Sequence, residues 1–93
     1  YRAVIYQHVV TGNLVVAYKG TDSLNYARQN WNAPYVIPKD ARNFVENHVI
    51  PVVNQLAREH RSKMVMTTGH SAGGSMAGYH ALLEKCRAVV FAT

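Results

Sequence analysis

Cysteine and acidic side chains are both scarce in this chain. One cysteine, Cys86, among 93 residues excludes an internal disulfide framework. Five acidic residues stand against ten Lys and Arg, which gives a formal net charge of +5. The basic residues are scattered, and the cluster from Arg58 to Lys63 falls at a predicted helix C-terminus, where cations favour the helix dipole. We therefore predict no nucleic-acid partner, and we leave contact with an anionic membrane surface open.

Long apolar runs and low-complexity segments are also missing. The longest apolar runs are far shorter than the ~20 residues of a membrane helix. With 48% hydrophobic and 16% charged residues, the composition is that of an ordinary globular protein of at most one domain. The chain begins at Tyr1 with a strand-like segment and ends at Thr93 inside another. We therefore expect residues 1–93 to be the N-terminal and central portion of a single domain whose remainder lies beyond residue 93.

The hydrophobic pattern predicts a β-hairpin followed by alternating helices and strands. Apolar residues recur about every 3.6 residues over 40–60, where Pro51 predicts a kink or two shorter helices. His48 falls on the apolar face of this helix, where a core histidine with a satisfied partner is the default expectation. Residues 24–38 fit no single regular element, although a short helical turn near 24–31 is plausible. The predicted elements are strands at 2–10 and 14–18, a helix at 40–60, a strand at 64–68, a tight turn at 69–74, a helix at 75–85 and a strand at 87–92.

This order of elements is typical of parallel βαβ units. The predicted strands are apolar on both faces, which favours a sheet covered on both sides. We therefore predict the α/β class, with a mostly parallel sheet, flanking helices and an N-terminal hairpin. Cys86, between the last helix and strand, is expected to be a small buried hydrophobe without a catalytic role.

The predicted turn at 69–74 carries the motif G-x-S-x-G around Ser71. A strand before this motif and a helix after it are the context of a nucleophile elbow, in which the turn lifts a serine hydroxyl off the sheet. Small residues at Gly69 and Gly73 relieve the crowding of the turn. The simpler alternative is a glycine-rich turn that only joins a strand to a helix. A phosphate-binding loop is disfavoured because no lysine follows Gly74, and the dinucleotide pattern G-x-G-x-x-G is missing.

A second motif, Val15 to Ser23, ends a predicted strand with Gly20-Thr21 and could place a second oxyanion donor beside Ser71. The segment resembles V-V-x-F-R-G-T-x-S of the class 3 lipases, the fungal-type triacylglycerol lipase and phospholipase A1 family. Met64 to Ala77 is similar to that family's strand and G-H-S-L-G-G-A-x-A elbow, and 87–93 is similar to its next strand. Asn30-Trp31 loosely matches an Asp-Trp pair. The departures are Tyr18 for Phe, Lys19 for Arg, Asn30 for Asp and Ala72 for Leu.

The resemblance implies an α/β-hydrolase fold, of which this chain is a fragment, and a role for each matching residue. His70 matches the usual elbow histidine, which is not the catalytic base, and Asp22 matches a residue that orients the oxyanion loop. The remaining matches are Ser71 with the nucleophile, Thr21 and Ala72 with the two halves of the oxyanion hole, and Gly69 and Gly73 with the supporting glycines.

The acid and base of a catalytic triad are missing from the sequence after Ser71. In this fold the aspartate and then the histidine follow the serine, yet Glu84 is the only acidic residue there. His80 follows Ser71 but lies roughly 13 Å along the predicted helix, so we expect a packing or surface histidine. The triad Asp and His are therefore expected outside this segment, and these 93 residues alone are expected to be inactive.

The resemblance implies hydrolysis of carboxylic esters of lipids through an acyl-enzyme on Ser71. Two alternatives stay open: an esterase or acyltransferase acting on a soluble ester, and a non-catalytic lipase-like binding module. No cofactor is expected, and no metal site, because no residues have recognised ligand spacing. The compartment and oligomeric state are left open, with a secreted or exported protein among the options.

Overall fold

Four strands form one mixed sheet in residues 1–20 and 37–91, the part of the chain that the computed structural model describes. The spatial order of the strands is β1-β2-β3-β4. The hairpin partners β1 and β2 are antiparallel, whereas β2, β3 and β4 are parallel, and this mixed sheet with its helices confirms the α/β class. The strands are β1 (Arg2–Gln7), β2 (Leu14–Lys19), β3 (Val65–His70) and β4 (Arg87–Phe91).

The first strand is shorter than the sequence predicts because the hairpin turn takes over after Gln7. His8 donates its N–H to the Asn13 carbonyl at 2.9 Å and accepts the Gly12 N–H at 2.8 Å. The His8 imidazole also accepts from the N–H groups of Val10 and Thr11. Local hydrogen bonds therefore override the strand propensity of the Val9-Val10 pair, whose side chains are exposed.

The predicted helix over 40–60 is a helical segment with a π-helical turn in its middle. Its parts are α1 (Lys39–Asn43), the π-helical turn (Phe44–Val49) and α2 (Ile50–Glu59). Pro51 is the second residue of α2, within its first turn, where a missing N–H costs little.

The π-helical turn also rotates His48 out of the core. A wider turn changes which residues face inward, so Val45, Val49 and Val53 are buried at four-residue spacing. His48 is exposed, and its ring stacks on Phe44 with centroids 6.3 Å apart. The expectation of a core histidine at this position is therefore wrong, because it assumed an uninterrupted 3.6-residue period.

Both helical segments pack on one face of the sheet. The last helix, α3 (Ala72–Glu84), begins three residues earlier than expected. Alternate residues of β2 point into the shared core, while Val15 and Ala17 on the opposite face are only half-buried. We expected helices on both faces; within residues 1–20 and 37–91 they cover one. The core residues include Leu14, Val16, Tyr18, Val45, Val49, Val53, Ala72, Met76 and Ala77.

The end of α3 leads into the edge strand through a left-handed residue. Lys85 has φ 54° and ψ 43°, and the Cys86 N–H donates to the Ala81 carbonyl at 3.1 Å. Cys86 is half-buried rather than fully buried as expected. None of the described helices combines the length and the apolar character needed to cross a membrane.

Candidate nucleophile turn

Ser71 alone connects a strand to a helix. β3 ends at His70 and α3 begins at Ala72, so the turn predicted at 69–74 is a single residue wide. Ser71 has φ 58° and ψ −119°, a conformation that L-residues rarely adopt. Such a residue costs free energy and persists only where the surrounding structure holds it in place.

Hydrogen bonds hold the Ser71 backbone on both sides. Its N–H donates to the carbonyl of Phe91 at 2.8 Å, which continues the pairing of β3 with β4 beyond His70. Its carbonyl accepts the N–H of Ser75 at 3.2 Å, which is the first turn of α3. The strained residue is therefore hydrogen-bonded on one side to β4 and on the other to α3.

Close backbone contacts require glycine around Ser71. A Cβ built on Gly69 would overlap the backbone of Gly73 and lie 2.7 Å from the Gly74 nitrogen. A Cβ on Gly73 would overlap the Tyr18 carbonyl oxygen and lie 3.0 Å from the Gly20 nitrogen. The prediction that small residues at 69 and 73 relieve crowding thus has a geometric basis, since in each case the obstacle is backbone.

The carboxyl end of β2 lies against the first turn of α3. A Cβ on Gly20 would lie 3.1 Å from the His70 oxygen, 3.5 Å from the Gly73 nitrogen and 3.8 Å from the Ala72 nitrogen. The first N–H groups of a helix have no acceptor within the helix and carry its positive dipole end. Ala72, whose N–H was predicted to form half of the oxyanion hole, is the first residue of α3 and is fully buried.

Thr21 and Asp22 lie outside the described residues, as does Asn30-Trp31. Their predicted contributions to the oxyanion hole and its loop stay predictions. Gly20, which directly follows β2, lies next to Ala72 and Gly73.

The histidines of the described residues occupy different parts of the molecule. His70 is exposed at the end of β3, directly before Ser71. His8 belongs to the turn of the β1-β2 hairpin. His60 follows α2, and its backbone carbonyl lies against Gly12 of that hairpin turn. His48 stacks on Phe44 beside β1. These positions bring none of His8, His48 and His60 to the turn at Ser71.

His80 is buried and bonded to Tyr18, a pair that the sequence does not reveal. The Tyr18 hydroxyl and the His80 Nδ1 are 2.7 Å apart, and both residues lie in the core. Burial lowers the pKa of His80, against a smaller raising effect of the Glu84 carboxylate. Burial also raises the pKa of the Tyr18 hydroxyl, with a smaller contribution from Cys86. Both rings are therefore neutral near pH 7. The sequence left open whether His80 packs in the core or lies on the surface, and it packs in the core.

The pattern offered one weak signal for this pair. Tyr18 alternates with Leu14 and Val16 on the core face of β2, and His80 falls one turn after Met76 on the buried side of α3. Each position is therefore expected to be buried although its side chain is polar, but nothing in the sequence shows that these two distant residues contact each other.

Metal binding has no support in residues 1–20 and 37–91, where no three His, Cys, Asp or Glu side chains converge.

Comparison with known proteins corrects the family that the sequence suggested. A family model described as Mbeg1-like matches residues 1–88. No curated protein and no solved structure matches the chain significantly. No lipase family matches either, so the assignment to the class 3 lipases is wrong. The two motifs that suggested the lipases mark a strand-turn-helix connection and the end of a strand. The contacts at Gly69 and Gly73 show that backbone packing alone requires glycine at these positions. The chain belongs to the Mbeg1-like family.

Proposed function

We propose that this chain carries the nucleophile and part of the oxyanion hole of a serine hydrolase that cleaves carboxylic esters through an acyl-enzyme on Ser71. The observation that carries the proposal is the backbone of Ser71, with φ 58° and ψ −119°, held between β3 and α3. Glycine adopts positive φ at little cost and could make the same one-residue connection, so a serine held in this conformation favours a functional role. Strain of this kind clusters at functional sites. We further propose that the sheet and α3 belong to an α/β-hydrolase fold, in which this is the position of the nucleophile.

The proposed reaction begins with attack of the Ser71 Oγ on the carbonyl carbon of the ester. The serine proton passes to a general base, and the Ala72 N–H stabilises the negative charge that develops on the carbonyl oxygen. The C–O bond to the alcohol breaks, and the alcohol leaves with the proton from the base. Water then attacks the acyl-enzyme and releases the acid. We propose that the base comes from outside residues 1–20 and 37–91, because the buried His80 is already engaged with Tyr18, and His8, His48 and His60 lie away from the turn at Ser71.

A fluorophosphonate probe tests Ser71 directly, in the protein expressed at its natural length. We expect the probe to label Ser71 and the substitution Ser71→Ala to abolish labelling and ester hydrolysis. Ser75→Ala is the matched control, because Ser75 lies one turn later on α3 and uses its backbone N–H in the bond to Ser71. Labelling that is equal in the wild type and Ser71→Ala would show that Ser71 is not the nucleophile.

The substrate is a separate question for the same protein. We keep the lipid ester as the first substrate to test and a soluble ester, by hydrolysis or acyl transfer, as the alternative. Hydrolysis of p-nitrophenyl acyl esters that rises when a lipid interface is added supports the lipid, and an unchanged rate supports the soluble ester. A protein that neither reacts with the probe nor turns over any ester would instead be a binding module.

A further inference from the structure

Tyr18 and His80 form a polar pair inside a largely apolar core. Tyr18 is 3% exposed and His80 is 1% exposed. Their rings meet edge to face, with centroids 5.8 Å apart, and the hydroxyl and Nδ1 are 2.7 Å apart. Phe44 also packs edge to face with Tyr18, with ring centroids 6.3 Å apart. Two neutral polar groups in this environment satisfy each other, and removing one leaves the other buried without that partner.

The pair links β2 to α3 at a second point beyond the nucleophile turn. The Tyr18 backbone carbonyl lies against Gly73, while its side chain reaches His80 on the same helix. Gly73 and His80 are seven residues apart, which is roughly 10 Å along the helix axis. One strand residue thus contacts the helix in its first turn and again about two turns later. These two contacts oppose both sliding and tilting of α3 relative to β2.

We propose that the hydrogen bond between Tyr18 and His80 positions the first turn of α3 against the end of β2, and so fixes the place of the Ala72 N–H beside Gly20. The inference rests on the proposed function, in which the Ala72 N–H stabilises the developing oxyanion. Tyr18 and His80 are positioning residues and do not touch the substrate. Stability alone does not demand the pair, because an apolar pair of similar shape at a buried site is often equally stable.

Three variants separate positioning from packing: Tyr18→Phe, His80→Leu and the two combined. Each single variant leaves one buried polar group without its partner, so its urea midpoint should fall. The double variant removes both groups, and its midpoint should recover most of that loss. Its rate of fluorophosphonate labelling at Ser71 should nevertheless stay about tenfold or more below the wild type, since small displacements at a reacting site have effects of this size.

Tyr79→Phe is the matched control. Tyr79 precedes His80 on α3 and donates its hydroxyl proton to Glu46 of the π-helical turn, so the variant breaks a tyrosine hydrogen bond of the same helix without touching β2. We expect its labelling rate to equal that of the wild type. A double variant that recovers both the urea midpoint and the wild-type labelling rate would show that the pair only fills the core.

A measurement on the backbone keeps the proposal separate from the proposed function. Amide hydrogen exchange at Ala72 and Gly73 should be faster in the double variant than in the wild type, and it should be unchanged in Tyr79→Phe. If Ser71 proves unreactive in the wild type, the proposed function fails while this comparison still decides the positioning role. Unchanged exchange at Ala72 and Gly73 in the double variant would overturn that role.

Discussion

Ser71 differs from Lys85, another non-glycine residue with positive φ. Lys85, with φ 54° and ψ 43°, is in the left-handed region that commonly ends a helix. Ser71 has a similar φ but a ψ of −119°, far from that region. Its conformation is therefore not explained by helix capping. We attribute it to the need to pass from β3 into α3 within one residue.

The strain at Ser71 predicts an unusual response to glycine. We expect Ser71→Gly to be at least as stable as Ser71→Ala, because glycine relieves backbone strain of about 1–3 kcal/mol that alanine retains. Urea denaturation of the two variants measures the difference in the free energy of unfolding.

Ser75 provides the control for this comparison because it lies within the regular part of α3. There the order should reverse, with Ser75→Gly about 1 kcal/mol less stable than Ser75→Ala. The same order at both positions would mean that the Ser71 backbone is not strained.

The elements around Ser71 meet through backbone atoms. β3 packs on α3 where Gly69 faces Gly73 and Gly74, and β2 packs on α3 where the Tyr18 carbonyl faces Gly73. Since none of these contacts has room for a Cβ, the approach of strand and helix is determined by glycine at 69 and 73. The same approach brings Gly20 next to Ala72, where the proposed reaction needs its oxyanion donors.

Substitution of Gly73 tests this close approach. Gly73→Ala should lower the free energy of unfolding by about 1–3 kcal/mol, the usual cost of overpacking a close-packed interior. Gly78→Ala on the same helix should instead raise it by about 0.5–1 kcal/mol, because a Cβ there meets nothing within 4 Å and alanine favours the helix. Thermal or urea denaturation of both variants gives the comparison, and a harmless Gly73→Ala would contradict the close contact between Gly73 and the Tyr18 carbonyl.

The elements that sequence predicted well are those with a strong local pattern. The strand and helix around Ser71 follow from apolar periodicity and from glycine spacing, which report on nearby residues only. The π-helical turn escaped prediction because no local pattern marks an extra residue in a turn, and His48 was misplaced with it. The contact between Tyr18 and His80 depends on how β2 and α3 approach each other, which no local pattern encodes.

On the scale of the whole molecule, the described helices cover one face of the sheet. The sequence predicts a sheet covered on both sides, but a local pattern does not say which element covers a face. The family was misjudged for a related reason, since a turn that requires glycine yields the same short motif in unrelated chains. The functional proposal rests on the strained backbone of Ser71 and not on the sequence motif.

The buried histidine predicts that stability depends on pH. Burial lowers the pKa of His80 in the folded protein, whereas the unfolded chain binds a proton at about pH 6.5. Below that pH the unfolded state holds more protons than the folded state. The contribution of neutral His80 to the free energy of unfolding is therefore fully present above about pH 6.5. The free energy of unfolding should fall as the pH drops toward the pKa of His80 in the folded protein, by at most about 1.4 kcal/mol per pH unit. The double variant Tyr18→Phe and His80→Leu should lack this contribution, so urea denaturation of both proteins between pH 7.5 and pH 5 isolates it. Equal pH slopes for the two proteins would mean that His80 gains its proton as easily in the folded core as in the unfolded chain.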